Sequence, residues 1–267
     1  MTAELQGYLE TAVQAARAAG EILMAHRGRV AVERKGGFRD LVTEADRRAE
    51  QAIRAALLSA FPHHGVLGEE EGERPSDSGY RWLVDPLDGT TNFAHGLPHF
   101  AVSLALEGEG QGLLVGVVHL PALGETYTAV RGGGAYCNGR RLHVSARERL
   151  DDCLMVTGFP HDVSPGRPNN LDHMEAIVRR TRGIRIVGAA AVDLAYVAAG
   201  FLDAYWDLTN NAWDVAAGAL LVTEAGGAVT DMAGGPLDLY RPRILASNGR
   251  IHEQLLEVLR AGRMDVW

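Results

Sequence analysis

Asp85 and Asp88 stand in the stretch Trp82-Leu83-Val84-Asp85-Pro86-Leu87-Asp88-Gly89-Thr90-Thr91-Asn92, where an apolar run gives way to a turn. Pro86 fixes its own φ near about −65° and pushes Asp85 towards an extended conformation, so both acids sit on restricted backbone. Gly89 permits a tight turn or the close approach of a ligand to the main chain. Thr90, Thr91 and Asn92 are good N-cap residues, and a short helix starting here would aim its free N–H groups outwards as an anion site. Two carboxylates beside such a site repel a phosphate unless divalent cations lie between them, so the combination suggests metal-bridged phosphate chemistry. A D-P-x-D-G turn also has purely local reasons to be acidic, and the flanking segments have to decide.

The elements that would position these acids can be read on either side. Residues 81–84 form the end of a buried strand that stops where the acids begin. Before it, Leu5, Leu9, Val13, Ala16 and Leu23 recur at helical spacing and predict an amphipathic helix over 5–26. A polar break at Arg34-Lys35-Gly36-Gly37 leads to Asp40-Leu41-Val42-Thr43-Glu44-Ala45-Asp46, and Ala49, Ile53 and Leu57 supply the apolar face of a second helix to about residue 60. Thr43 with Asp46 resembles a capping box, which by itself accounts for Asp46. Gly68-Glu69-Glu70-Glu71-Gly72 reads as a solvated acidic loop unless a metal is near.

Beyond Asn92, His95 and His99 have a spacing that zinc ligands use. Gly96 and Pro98 break any helix between them and no further ligand completes a set, so both are read as ordinary histidines. Residues 101–107, 113–120 and 125–130 read as strands, with a turn at Asn138-Gly139. Gly132-Gly133-Gly134 lacks the Lys-Ser/Thr and helix of a phosphate loop and is read as turns. A change of texture around 144–152 suggests a division into residues 1–147 and 148–267. In the second part we expect a helix over 170–180, a strand over 184–187, a helix over 189–199 ended by Gly200, and a strand over 201–208. A helix over 213–225 follows, closed by Gly226-Gly227. Asp214 falls in its first turn, where an acid is favoured by about 0.3–1 kcal/mol with no other role.

Composition narrows the function classes. The chain has 267 residues, 46% of them hydrophobic, a formal charge of −8 and 6% aromatic residues, so no basic footprint points to nucleic acid or an anionic membrane surface. Small molecules are the expected partners. Cys137 and Cys153 are too few for a disulfide framework. No cationic apolar leader and no run of about 20 apolar residues is present, which leads us to expect a cytoplasmic protein.

Four segments, in this order and spacing, closely resemble the signature segments of the inositol monophosphatase family: Asp40-Leu41-Val42-Thr43-Glu44-Ala45-Asp46, Gly68-Glu69-Glu70, Asp85-Pro86-Leu87-Asp88-Gly89-Thr90-Thr91-Asn92 and Trp213-Asp214-Val215-Ala216-Ala217-Gly218. The resemblance covers nearly the whole chain. It implies a layered α/β/α/β/α sandwich, with an antiparallel N-terminal sheet and a smaller mixed C-terminal sheet, and a magnesium-dependent, lithium-sensitive, homodimeric phosphomonoesterase. It implies two or three Mg²⁺ per subunit, replaceable by Mn²⁺. Carried over by motif, Glu69, Asp85 and the Leu87 carbonyl hold one metal, and Asp85, Asp88 and Asp214 hold another. Thr90 with Glu69 orients the attacking water, Asp46 accepts from the Thr90 hydroxyl, and the amides of Gly89 and Thr90 take phosphate oxygens. Asp88, Gly188, Ala190 and Asp207 face the substrate. Asp207 stands where animal enzymes carry a Glu, one C–C bond (about 1.5 Å) longer. Lys35 and Asp40 fall in the flexible loop near the phosphate.

The chemistry makes the same demand. Phosphate-monoester hydrolysis needs rate enhancements towards about 10²¹, which electrostatics must supply, and all-oxygen ligands select Mg²⁺ or Mn²⁺ over zinc. The resemblance favours inositol-1-phosphate as substrate. Histidinol phosphate, fructose 1,6-bisphosphate and 3′-phosphoadenosine 5′-phosphate are the alternatives within the family, and a transcription-machinery binding role is the non-enzymatic one.

Overall fold

The computed structural model of the chain describes residues 2–28, 32–34, 41–160, 169–241 and 243–261. Helix α1 (Ala3–His26) begins where the Thr2 side chain accepts the Leu5 amide, and it buries Ala12, Ala16, Ala19 and Leu23 along one face. The short antiparallel pair β1 (Val32–Arg34) and β2 (Leu41–Thr43) leads into α2 (Glu44–Ala60). Lys35, Asp40 and the side chain of Thr43 lie outside the described residues.

Next come β3 (Gly65–Gly68), β4 (Gly72–Arg74), β5 (Tyr80–Asp88), the single-turn α3 (Thr90–Ala94), β6 (Ala101–Gly108), β7 (Gly112–Leu120), β8 (Glu125–Val130), β9 (Gly134–Cys137) and β10 (Arg140–Arg141). They build an eight-stranded sheet in the order β10-β9-β8-β7-β6-β5-β3-β4. The sheet is antiparallel apart from β3 and β5, which run parallel with Val66 opposite Trp82. The exception arises because β4 folds back onto the outer edge of β3, so the chain re-enters on the other side of β3 in the original direction. Strand β5 also differs from expectation. It runs on through both acids to Asp88 instead of stopping before Asp85.

After Arg141 the chain leaves this sheet. Strands β11 (Leu154–Thr157), β12 (Gly183–Arg185), β13 (Ala204–Asp207), β14 (Ala228–Asp231) and β15 (Ile244–Ser247) form a second, mixed sheet in the order β12-β11-β13-β15-β14. Helices α4 (Leu171–Val178), α5 (Ala190–Ala198), α6 (Ala212–Glu224) and α7 (His252–Ala261) are interleaved with them.

Period-two alternation explains the layers. On β5, Trp82 and Val84 point into the core under α1 and α2, while Leu83 points to the opposite face. There it meets α5 and α6, whose Ala191, Leu194, Ala216 and Leu220 also pack against Tyr205 and Ala246 of the second sheet. The far side of that sheet, with Met155, Trp206 and Leu245, is covered by Ile177 of α4 and by Leu255, Leu256 and Leu259 of α7. The result is the expected five-layer α/β/α/β/α stack. Among the described residues no helix is long and apolar enough to cross a membrane.

Candidate active site

The site is built where β5 ends. Asp85 pairs with Ser103 of β6 and Asp88 with Ala101, so one extra residue on β5 is taken up between them. That bulge is where Pro86 is tolerated, because its missing N–H falls outside the regular ladder. Asp85 Oδ1 accepts the Leu87 amide at 2.9 Å. Gly89 then adopts φ 86°, which a side chain would strain, and a Cβ there would come to 3.0 Å from both the Ala189 Cβ and the His99 carbonyl oxygen. The cap of α3 is therefore Gly89, one residue before the threonines that the sequence suggests. The Thr90 hydroxyl donates to the Leu87 carbonyl at 3.1 Å, and the Asn92 amide donates to the carbonyls of His99 and Val187.

Contacts from the second half of the chain close on this turn. Asp88 accepts the Ala190 and Ala191 amides at 3.2 and 2.7 Å, so it caps α5 from a hundred residues away. Asp214 forms a capping box with Asn211, accepting that residue's amide at 2.6 Å. Ser103, opposite Asp85 in the ladder, donates to the Trp213 carbonyl at 3.1 Å and so fastens the start of α6, with Asp214, to the strand that flanks Asp85. Asp207, at the end of β13, accepts the Leu208 and Thr209 amides and the Tyr205 hydroxyl.

These groups surround one cavity of about 760 Å³. Glu69, Asp85, Leu87, Asp88 and Asp214 line it, as do Gly89, Thr90, Gly188, Ala190 and Asp207. Asp46 does not line it; it is buried in the first turn of α2. The structure thus brings together, from five stretches of sequence, the residues singled out as metal and substrate groups, with Lys35 and Asp40 outside the described residues.

The electrostatics of the cavity are those of crowded acids. Burial above all, then the charges of Glu69, Asp88 and Asp214, hold the Asp85 carboxyl well above the usual carboxylate range. Burial pushes Asp88 up to about 7 against the pull of the α5 amides. Asp214 is raised in the same way by burial, with the Asn211 amide opposing and Asp88 and Glu69 adding to it. Desolvation and like charge both penalise ionised acids, and a cation among them reverses both effects.

The residues suit a hard divalent cation in donor type and in charge. Each carboxylate oxygen that accepts a backbone amide keeps a second lone pair for a metal. Among the described residues, no three His, Cys, Asp or Glu side chains are drawn into a finished metal cage. Asp85, Asp88 and Asp214 each turn an oxygen onto a backbone amide.

Several participants are missing from the sequence reading. Asp193, on α5, lines the cavity although only its being the one acid in a run of small apolar residues hints at it. Glu50 of α2 sits fully buried beneath the turn that carries Glu69, accepting the amides of Glu70 and Glu71. Its place in an amphipathic helix beside Arg54 makes it look like one half of a surface ion pair.

Comparison with known proteins agrees with this geometry. The model of the inositol monophosphatase family matches residues 4–263. An inositol-1-monophosphatase of Rhizobium meliloti is 46% identical over 94% of this chain and 96% of its own. A protein of Pseudomonas aeruginosa named Nus factor SuhB is 45% identical over 96% of this chain and 97% of its own. Among solved structures, the extragenic suppressor protein suhB from Bartonella henselae superposes with a TM-score of 0.91 at 46% identity, covering 96% of this chain and all (100%) of that one. An IMPase from Thermotoga maritima gives 0.88 at 40% identity, over 96% of this chain and 98% of its own. Matched end to end in sequence and in fold, the chain belongs to the inositol monophosphatase family, whose members are metal-dependent phosphatases of phosphate monoesters.

Proposed function

We propose that this protein is a Mg²⁺-dependent phosphomonoesterase that hydrolyses inositol-1-phosphate to inositol and phosphate. The observation that carries the reading is the convergence of Glu69, Asp85, Asp88 and Asp214 on one cavity, where burial and mutual repulsion leave them in need of cations. Glu69, Asp85 and the Leu87 carbonyl would hold one Mg²⁺, and Asp85, Asp88 and Asp214 another, with two or three ions per subunit and Mn²⁺ able to substitute. When bound, the ions supply an acidified water, neutralise the phosphoryl oxygens and steady the leaving alkoxide.

The chain's own groups do the rest. Thr90 and Glu69 orient the attacking water, and Asp46 would accept from the Thr90 hydroxyl once that hydroxyl, which here donates to the Leu87 carbonyl, turns away from it. The first amides of α3, at Gly89 and Thr90, point at the phosphate oxygens as helix N-terminal amides do. Gly188, Ala190 and Asp207 face the alcohol portion, while Lys35 and Asp40 belong to the loop over the phosphate. The reading includes a homodimer, inhibition by lithium, a cytoplasmic location, and a division of the chain at 147/148 into a metal- and phosphate-binding part and a part that completes the site.

A kinetic panel with Mg²⁺ tests it. Inositol-1-phosphate should give the highest kcat/KM among sugar, amino-alcohol and nucleotide phosphates. A higher value for histidinol phosphate, fructose 1,6-bisphosphate or 3′-phosphoadenosine 5′-phosphate would overturn the substrate and leave the mechanism. The relative named Nus factor SuhB favours a second role, binding to the transcription machinery. Recovery of RNA polymerase or antitermination factors in a pull-down, unchanged by Asp85→Asn, would support it.

A further inference from the structure

Asp193 has no part in the mechanism above, yet it is the least satisfied acid in the cavity. It lies on α5 one turn beyond Ala190, on the same face, and it lines the cavity while being only 1% exposed. Its Oδ1 has no hydrogen-bond partner. Its acidic neighbours are provided for, Asp88 by two α5 amides and Asp207 by two backbone amides and the Tyr205 hydroxyl. The rest of α5 is Ala, Val, Leu and Tyr, and an acid there contributes nothing to packing that a small apolar residue would not. A buried carboxyl without a donor is costly to a fold, so a partner arriving through the cavity explains its presence better than the fold does.

We propose that Asp193 is a substrate-specificity residue whose carboxyl receives a hydroxyl of the alcohol portion of a polyol phosphate. The inference rests on the phosphomonoesterase reading above. Three arguments select a hydroxyl. It both donates and accepts, so it satisfies the carboxyl in either protonation state. A phosphate oxygen would be repelled by Asp88, Asp193 and Asp207 together, and an apolar group would leave the carboxyl as it is. Asp193 also stands two to three residues, about 3–4.5 Å along the helix axis, beyond the α5 amides that hold Asp88, within the span of a hydroxylated six-membered ring.

The test measures kcat and KM with saturating Mg²⁺ for wild type, Asp193→Ala and Asp193→Asn. The substrates are inositol-1-phosphate, p-nitrophenyl phosphate, which has no hydroxyl on its alcohol portion, and phosphoethanolamine, which offers an ammonium instead. Asp193→Ala should lose about tenfold in kcat/KM on inositol-1-phosphate, mostly through KM, and stay within about twofold on the aryl phosphate. Asp193→Asn, which can still bond a hydroxyl, should recover most of the loss. Both variants should melt at or above the wild-type temperature, because a buried unpaired acid has been removed. Equal losses on inositol-1-phosphate and the aryl phosphate, no loss on either, or a loss confined to phosphoethanolamine would each overturn the role. A wild-type enzyme active on the aryl phosphate but not on inositol-1-phosphate would refute the substrate reading itself, and the role of Asp193 with it.

Discussion

The Glu50 carboxylate accepts the backbone N–H of Glu70 at 2.7 Å from a fully buried position in α2. The same group accepts the Glu71 amide at 3.1 Å and the Arg54 Nε at 2.7 Å, while Arg54 also donates to the Gly72 carbonyl. The turn that presents Glu69 to the cavity is therefore held from below by an ion pair on a helix. The approach is so close that a Cβ on residue 68 would stand 2.2 Å from Glu50 Oε1, which is why glycine precedes Glu69.

Gly68→Ala should cost about 1–3 kcal/mol through overpacking. Glu50→Ala should cost about 3–5 kcal/mol, because the mostly buried Arg54 loses its closest partner. Urea denaturation measures both. In each variant the Mg²⁺ concentration for half-maximal activity should rise, since Glu69 is displaced; an unchanged Mg²⁺ requirement would separate this turn from metal binding.

Removal of the cation exposes the repulsion among the cavity acids. With Mg²⁺ chelated, Asp88 titrates at about 7 in the folded protein, against about 4 for an unfolded aspartate. The folded state then binds the proton more tightly. Its contribution to stability is complete below about 4 and is lost as the pH rises through about 7. In EDTA, unfolding free energy should therefore decline between those limits, and Glu69→Gln, by removing the charge that repels Asp88, should lessen the decline. Mg²⁺ at a hundredfold excess over its Kd should add about 2.7 kcal/mol near neutral pH in wild type. A wild-type melting temperature indifferent to Mg²⁺ would contradict the metal scheme.

His252 should show the opposite sign. Its ring is buried between Ser247 Oγ, at 2.8 Å from Nδ1, and Thr230 Oγ1, at 2.9 Å from Nε2. Burial holds it below the usual histidine range, with the Glu253 charge opposing weakly. Below about pH 6.5 the unfolded chain takes up the proton first, so this residue makes the protein less stable as acidity increases. Comparison of His252→Gln with wild type in urea melts at pH 7.5 and 5.5 isolates the effect. The variant should lose less stability between the two values, and an equal loss would mean that the ring takes up its proton as readily in the folded chain as in the unfolded one.

What could be read from the residues alone follows from how locally each feature is determined. The acids at 85, 88 and 214 were legible because they lie in compact segments whose neighbours, Pro86, Gly89 and Trp213, are unusual enough to carry a family signature. The helices over 5–26 and 44–60 follow from periodicity, and the five-layer order from the resemblance. The end of β5 was not legible, since a proline ordinarily argues against a continuing strand and only the pairing with β6 shows the bulge that admits it. Strands β14 and β15 are four residues each, too short for an alternation to stand out. Glu50 and Asp193 owe their importance to what stands opposite them after folding, and neither has a local pattern that announces it.

The α5–α6 layer has one further consequence. Ala191, Leu194, Ala216 and Leu220 share a single core with Leu83 and Val118 on one side and with Tyr205 and Ala246 on the other, so the parts of the chain before and after residue 147 pack into one core. Neither fragment could shield its inner sheet face if the chain were cut there. The two halves should melt together in one cooperative transition, and the acids they contribute would scatter in the same step.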